Sequence, residues 1–220
     1  MIASSPLNFF GHAHLARERD SSGAFVLGAM LPDFSSMSRA RLLPIEHQGV
    51  RSGVAFHHAT DDAFHAAPSF LSLMAQAFEQ LEATGVAHGP SRAVSHVGVE
   101  LLLDGVLLDD GQSRRAYLEA IEHAAPAQLG SVLRFRHPER FTALHERLMR
   151  YGLPTGYRDA EFVADRLCGI LAPRPRLALS PEDRGPVVEA LRAVARRLDA
   201  SLLLAETRSA IADREAQASA

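Results

Sequence analysis

Nine consecutive residues, His57-His58-Ala59-Thr60-Asp61-Asp62-Ala63-Phe64-His65, hold five groups able to bind a metal or carry a proton. They lie within a stretch, residues 50–66, whose apolar spacing reads as helix. At i, i+4 and i+8, His57, Asp61 and His65 drift only about 40° per step around the axis, so one face presents imidazole, carboxylate, imidazole. An ordinary core face has no use for that order, and an ordinary solvent face favours Glu, Lys and Arg. Imidazole is the commonest transition-metal ligand and carboxylate its usual companion. The stretch therefore reads as a metal or proton-transfer site, against the plainer alternative of a polar, exposed helix face.

A second constellation repeats the spacing. His96, Glu100 and Asp104 fall at i, i+4, i+8 within residues 91–108, among Val94, Val97, Val99, Leu101, Leu102, Leu103 and Val106. Polar groups on so apolar a helix need partners, because an unpaired buried charge is costly. A metal shared with the His57 helix is the favoured partner, with Arg side chains as the alternative. Two further sources of ligands precede them. His12 and His14 sit on a first helix capped by Asn8, and since i and i+2 point about 200° apart, one of the two reaches a site. Pro32 interrupts the helical pattern of residues 24–37 and puts Asp33 at a bend or a new helix start, its carboxylate either aimed inward or capping the next turn.

The elements that must position these groups are all helical in pattern: residues 69–84, 112–124, 138–151, 160–171 and a long last helix over 181–212, besides those above. No segment has strand periodicity bounded by turn signals, and there is no internal repeat. The expected fold is all-α, a single multi-helical domain over residues 1–212, followed by a frayed tail at 213–220 that lacks an apolar face.

The chain has 220 residues, 47% of them hydrophobic, enough for one substantial core. Its formal charge of -3 gives no general nucleic-acid footprint. All 23 basic residues are Arg, and several cluster locally. Cys168 is the sole cysteine, so an intrachain disulfide is excluded, and its apolar helix disfavours a thiolate nucleophile. The apolar residues near the start are interrupted by Asn8, His12 and His14 rather than forming a signal-peptide core, and the longest apolar run, residues 101–108, is too short to cross a bilayer. A cytoplasmic protein with no nucleic-acid or membrane partner is expected; the sequence carries no signal for oligomeric state. A Gly-rich phosphate loop, a GxSxG elbow, HExxH and paired-Cys knuckles are all missing. What survives is His with Asp and Glu from several helices. That mix suits Mn²⁺, Fe²⁺ or Zn²⁺ and is typical of hydrolysis of phosphate esters.

Four pieces carry a likeness to a known family: Asn8-Phe9 with His12-Ala13-His14-Leu15-Ala16; Leu31-Pro32-Asp33-Phe34; His57 with Asp61; and Tyr157-Arg158-Asp159, Phe162-Val163, Leu167, Gly169 and Arg174-Pro175-Arg176-Leu177. Together they resemble the acyl carrier protein phosphodiesterases, small helical hydrolases distantly similar to HD-domain enzymes, although this chain has no His-Asp dipeptide. The resemblance implies an HD-like helical bundle and a usually Mn²⁺-supported hydrolysis of the phosphodiester joining 4'-phosphopantetheine to a serine of holo acyl carrier protein, a reaction of fatty acid metabolism. It implies metal roles for Asp33, His57 and Asp61, with His12 or His14 in the same shell and His58 as a further ligand or proton donor. Arg174 or Arg176 would stabilise charge on the phosphoryl oxygens. His96 and Glu100 stand where the family pattern leads one to expect two aspartates, and His65 where it leads one to expect a carboxylate. Those exchanges would soften the site toward Fe²⁺ or Zn²⁺ or accompany a changed substrate. Since the carrier protein is acidic, Arg39, Arg41, Arg134, Arg136 and Arg140 are candidates for a docking face. Two alternatives stay open: an HD-like phosphohydrolase of a nucleotide or another small phosphoester, and a non-catalytic carrier-protein or metal-binding module.

Overall fold

The structure, a computed structural model, describes residues 8–125, 128–153 and 155–218. The first seven residues of the expected domain and the last two of the expected tail lie outside the described residues. Ten α-helices and, among the described residues, no strand beyond one isolated bridge make the fold all-α, as expected. They are α1 (Phe9–Arg19), α2 (Gly23–Ser38), α3 (Gln48–His65), α4 (Pro68–Ala83), α5 (His88–Leu107), α6 (Gly111–His123), α7 (Pro138–Tyr151), α8 (Ala160–Leu171), α9 (Arg184–Arg197) and α10 (Ala200–Ala218). The chain divides into two compact units, Met1–Asp62 with Leu107–Pro154, and Ala63–Val106 with Thr155–Ala220. None of the helices among the described residues is long and apolar enough to cross a membrane.

In the first unit, α1 begins where the Asn8 side chain accepts the Phe9 N–H. Its apolar face packs into an aromatic cluster: Phe9 lies 5.6 Å from Phe34 and 5.7 Å from Tyr117, and Phe10 lies 5.9 Å from Tyr117, ring centre to ring centre. Burying rings of that size is worth roughly 1.5–3 kcal/mol each, which fixes α1 on α2 and α6. The break expected at Pro32 does not occur. α2 runs through the proline, because Met30, Leu31 and Phe34 on either side are almost wholly buried and their packing outweighs the lost N–H and the local bias of Leu31. Asp33 thus points from a helix into the core. α2 ends at Arg39, whose left-handed backbone (φ 53°) turns its N–H back onto the carbonyls of Ser35 and Ser36.

α2 and α3 meet backbone to backbone. A Cβ on Gly28 would sit 2.2 Å from the Val50 carbonyl oxygen, and one on Gly53 would sit 2.1 Å from that of Phe25. Only glycine permits so close an approach, and the crossing lies one turn before His57. Beyond α2, residues 41–43 pair antiparallel with 134–136: Leu43 N–H donates to Arg134 O (2.7 Å) and Arg136 N–H to Arg41 O (2.9 Å). Phe135, stacked 4.2 Å from Phe141, pins this ribbon to α7. Arg39, Arg41, Arg134, Arg136 and Arg140 are all exposed along it.

The second unit is built on α5. A Cβ on Gly98 would press on Leu191 of α9 at 2.5 Å, and one on Gly105 on the Tyr157 backbone at 2.4 Å, so small residues seven apart let two neighbours approach one helix. α4 starts with Pro68 at its first position, and the Ser69 N–H and hydroxyl both donate to Glu206 of α10. Asp159 caps α8 through the Glu161 N–H, while Arg184 and Arg192 of α9 grip Asp165 and Glu161 of α8. The single last helix expected over 181–212 is instead a 3-10 turn at Pro181–Asp183, α9 and α10. Leu198 leaves helical geometry and the Asp199 carboxylate accepts the Leu202 N–H, a start signal that the unbroken apolar stripe concealed. α10 continues to Ala218.

Candidate metal centre

In the first unit, α1, α2 and α3 bring His12, Asp33 and His57 together, each at most 5% exposed. One ligand atom from each lies within 4.8 Å of the others; His12 Nε2 is 3.9 Å from Asp33 Oδ2, and the two imidazole centres are 3.9 Å apart. The ring orientations follow from their neighbours. His57 Nδ1 lies 2.8 Å from the Ala29 carbonyl oxygen, which only accepts, so the proton is on Nδ1 and the lone pair on Nε2. Thr60 Oγ1 donates to the Phe56 and His57 carbonyls at 3.0 and 2.9 Å; its remaining capacity is to accept, and it takes the Nδ1–H of His12 at 2.8 Å. His12 therefore also carries its lone pair on Nε2. An imidazole whose far nitrogen is tied to a protein acceptor is the usual state of a metal-ligating histidine. The Gly28–Gly53 crossing is what lets His57 reach Ala29.

Burial is the main reason the His57 imidazole falls from its ordinary 6.5 to about 4; the Ala29 hydrogen bond and the charge of Asp61 act against it, and His58 adds to it. His57 is thus neutral at pH 7, as ligation requires. Asp61, half-buried one turn along α3, acts on His57 through its charge, while His58 is exposed, its ring edge-on to His57 at 5.2 Å. Asp62 is exposed.

His14 is buried on a different side of α1. Its Nδ1 lies 2.8 Å from Ser113 Oγ, which also accepts from Arg17 Nε and donates to Asp110 Oδ2. Arg17 pairs with Asp110, the cap of α6. Burial resists ionisation of Asp110, but the Ser113 hydroxyl, the Gln112 N–H and Arg17 outweigh it and hold the carboxyl at about 2. His14 belongs to this clasp between α1 and α6, and His12 to the metal-type set.

The second unit holds another convergence, His65 with His96 and Glu100. His65 Nε2 lies 3.0 Å from His96 Nε2 and 3.2 Å from Glu100 Oε1, and His96 Nε2 lies 3.0 Å from the same oxygen. The sequence joined His96 and Glu100 through their i, i+4 spacing and favoured a partner on the His57 helix; of that helix's row it is His65, in the last turn of α3, that meets them. Asp104, fully buried on the next turn of α5, acts electrostatically on Tyr157, whose hydroxyl is raised chiefly by burial.

The model of the acyl carrier protein phosphodiesterase family matches residues 7–203. The chain belongs to this family. No curated protein and no solved structure matches it.

Two of the residues that the family resemblance singled out, Arg174 and Arg176 in the turn after α8, are exposed, and their side chains form no hydrogen bond or ion pair among the described residues. Their backbone is ordered by bonds from Leu177 and Ala178 N–H to Arg174 O and by the close approach of Gly89 to Arg176 O. Elsewhere in this phosphodiesterase-family chain, His123 and His137 stay with the neighbouring Glu119 O and Glu139, and His145 of α7 donates to Ile121 O of α6. Burial, with Asp165 beside it, pushes the Cys168 thiol up, which agrees with a cysteine that is no nucleophile.

Proposed function

We propose that the chain hydrolyses the phosphodiester between 4'-phosphopantetheine and a serine of holo acyl carrier protein, releasing apo carrier protein and phosphopantetheine, in the cytoplasm and with a divalent metal. The observation that carries the reading is the buried set His12, Asp33 and His57, a carboxylate and two imidazoles whose Nδ1 atoms are tied to Thr60 and the Ala29 carbonyl, in a chain of the acyl carrier protein phosphodiesterase family. The donor set fits Mn²⁺, with Fe²⁺ or Zn²⁺ as alternatives. Such an ion supplies a polarised phosphoryl oxygen and a water of lowered pKa when bound.

The chain's own residues do the rest. Thr60 and the Ala29 carbonyl hold the two rings, so neither imidazole has to reorient, and His57 has no proton to lose at pH 7. Asp33 provides the carboxylate that would offset a cation held among these buried side chains. Asp61 adds a second carboxylate near His57. The arginine ribbon, Arg39, Arg41, Arg134, Arg136 and Arg140, offers an acidic carrier protein an exposed face of complementary charge in the same unit.

The test is mass spectrometry of holo acyl carrier protein incubated with the enzyme and Mn²⁺. Loss of the phosphopantetheine mass is expected. An unchanged carrier protein alongside turnover of bis-p-nitrophenyl phosphate would shift the assignment to a small phosphoester, and no turnover of either with any of the three metals would leave a binding module.

A further inference from the structure

His65, His96 and Glu100 make a triangle with edges of 3.0, 3.0 and 3.2 Å. Hydrogen bonding alone accounts for it poorly. Three nearly equal edges give corners of roughly 60°, so if both imidazoles donated to Glu100 Oε1, their hydrogens, each about 2 Å from that oxygen, would stand about 2 Å from one another, inside contact distance. With a single proton shared from His96, the lone pair of His65 Nε2 would face the carboxylate oxygen at 3.2 Å. Either arrangement leaves two like-charged regions pressed together. A dication placed among the three atoms satisfies all three lone pairs at once.

The edge lengths also favour a coordination number. With bonds of about 2.1–2.2 Å, neighbouring ligands of an octahedral ion stand about 3.0–3.1 Å apart, and those of a tetrahedral ion about 3.4 Å. Two imidazoles and one carboxylate on one octahedral face are the ligand set of non-haem Fe²⁺ sites, and they suit Mn²⁺ equally. The surroundings agree. Glu100 is 1% exposed, so its carboxylate is in a setting where an opposing charge is worth most. Phe70 stands edge-on to both rings, at 5.2 Å from His65 and 5.4 Å from His96, and holds them at a fixed inclination. The imidazole side chains keep 21% and 23% of their surface exposed, leaving the remaining coordination positions open to water or a phosphate oxygen.

We infer that His65, His96 and Glu100 form a site for one octahedral divalent cation, Mn²⁺ or Fe²⁺, sharing no residue with the His12, Asp33 and His57 set. The inference stands on this geometry and does not require the proposed reaction. It is tested on the full chain, stripped with chelator and titrated with MnCl₂ while unbound Mn²⁺ is followed by its EPR signal. Wild type is expected to bind two equivalents, and His96→Gln and Glu100→Gln one each, both with unchanged helical circular dichroism. His57→Gln is also expected to bind one, and that equivalent should disappear in the His57→Gln/His96→Gln double variant. A second readout is the half-integer-spin EPR signal of nitric oxide on the Fe²⁺-loaded His57→Gln protein, expected there and missing in the double variant. Wild-type stoichiometry that His96→Gln and Glu100→Gln both leave unchanged overturns the inference. If wild type binds one equivalent that only the His96 and Glu100 variants remove, the site stands and the His12, Asp33 and His57 set is the one that fails. If either variant fails to fold, Phe70→Leu, which removes the aromatic wall but no ligand, should weaken the second equivalent severalfold, and equal affinity would count against the site.

Discussion

The donors of the first unit are all buried, with His12 Nε2 3.9 Å from Asp33 Oδ2, whereas in the second two partly exposed imidazoles meet the buried Glu100 with donor atoms about 3 Å apart. Each set is organised by a different device. In the first unit the rings are fixed from behind, by Thr60 and Ala29, and a glycine crossing of two helices brings those acceptors within reach. In the second they are fixed by spacing along α5 and by an aromatic wall. A set held from behind keeps its geometry without an ion. A set whose like atoms are pressed together gains most when an ion arrives, so the second should show the larger change in stability on metal binding.

The largest effect expected from disturbing the comparison is on turnover. Asp33→Ala and Asp61→Ala should each lower hydrolysis of holo acyl carrier protein by about a thousandfold or more, with helical circular dichroism retained; near-normal rates in either would remove that residue from the site. Next is pH. His57 is neutral in the folded chain down to about pH 4 but takes a proton in the unfolded chain near 6.5. Stability of the metal-free protein is therefore unaffected above 6.5 and falls as the pH drops from 6.5 to 4, by about 3 kcal/mol, with no further loss from this group below that. Urea midpoints across this range should show the slope in wild type and a flatter one in His57→Gln. Gly53→Ala should cost about 1–3 kcal/mol by overpacking against the Phe25 carbonyl and weaken the first-unit metal equivalent while sparing the second. Thr60→Val removes the acceptor behind His12, together with the hydroxyl's bonds to the α3 carbonyls, and should lower first-unit metal affinity about 10–100-fold, measured by the same EPR titration. Smallest of all, Arg136→Ala should raise KM a few-fold at low salt with kcat unchanged, and high salt should erase the difference.

Helix content was readable from periodicity alone: the expected 138–151 and 160–171 coincide with α7 and α8. The first unit's donors were legible as residue types, because His and Asp at helical spacing are rare on ordinary faces. Which face met which was not legible. The i, i+4, i+8 row on α3 suggested one line of ligands, yet His57 and His65 serve sets in different units, and nothing local announces that His65 meets a residue 31 positions away. Likewise Gly28 and Gly53 look like helix weaknesses in sequence and become a contact only once two helices cross. Pro32 signalled a break that burial of its neighbours overrode, and Asp199 a break that the apolar stripe hid.

The ribbon joined through Leu42 and Phe135 gathers five guanidiniums in a chain without a single lysine. Reagents that react with amines, the usual means of freezing a transient complex by cross-linking, would find no side chain to attack anywhere on that face. A carrier protein seated there would escape such capture, whereas dicarbonyl compounds that condense with guanidinium should be blocked by its presence.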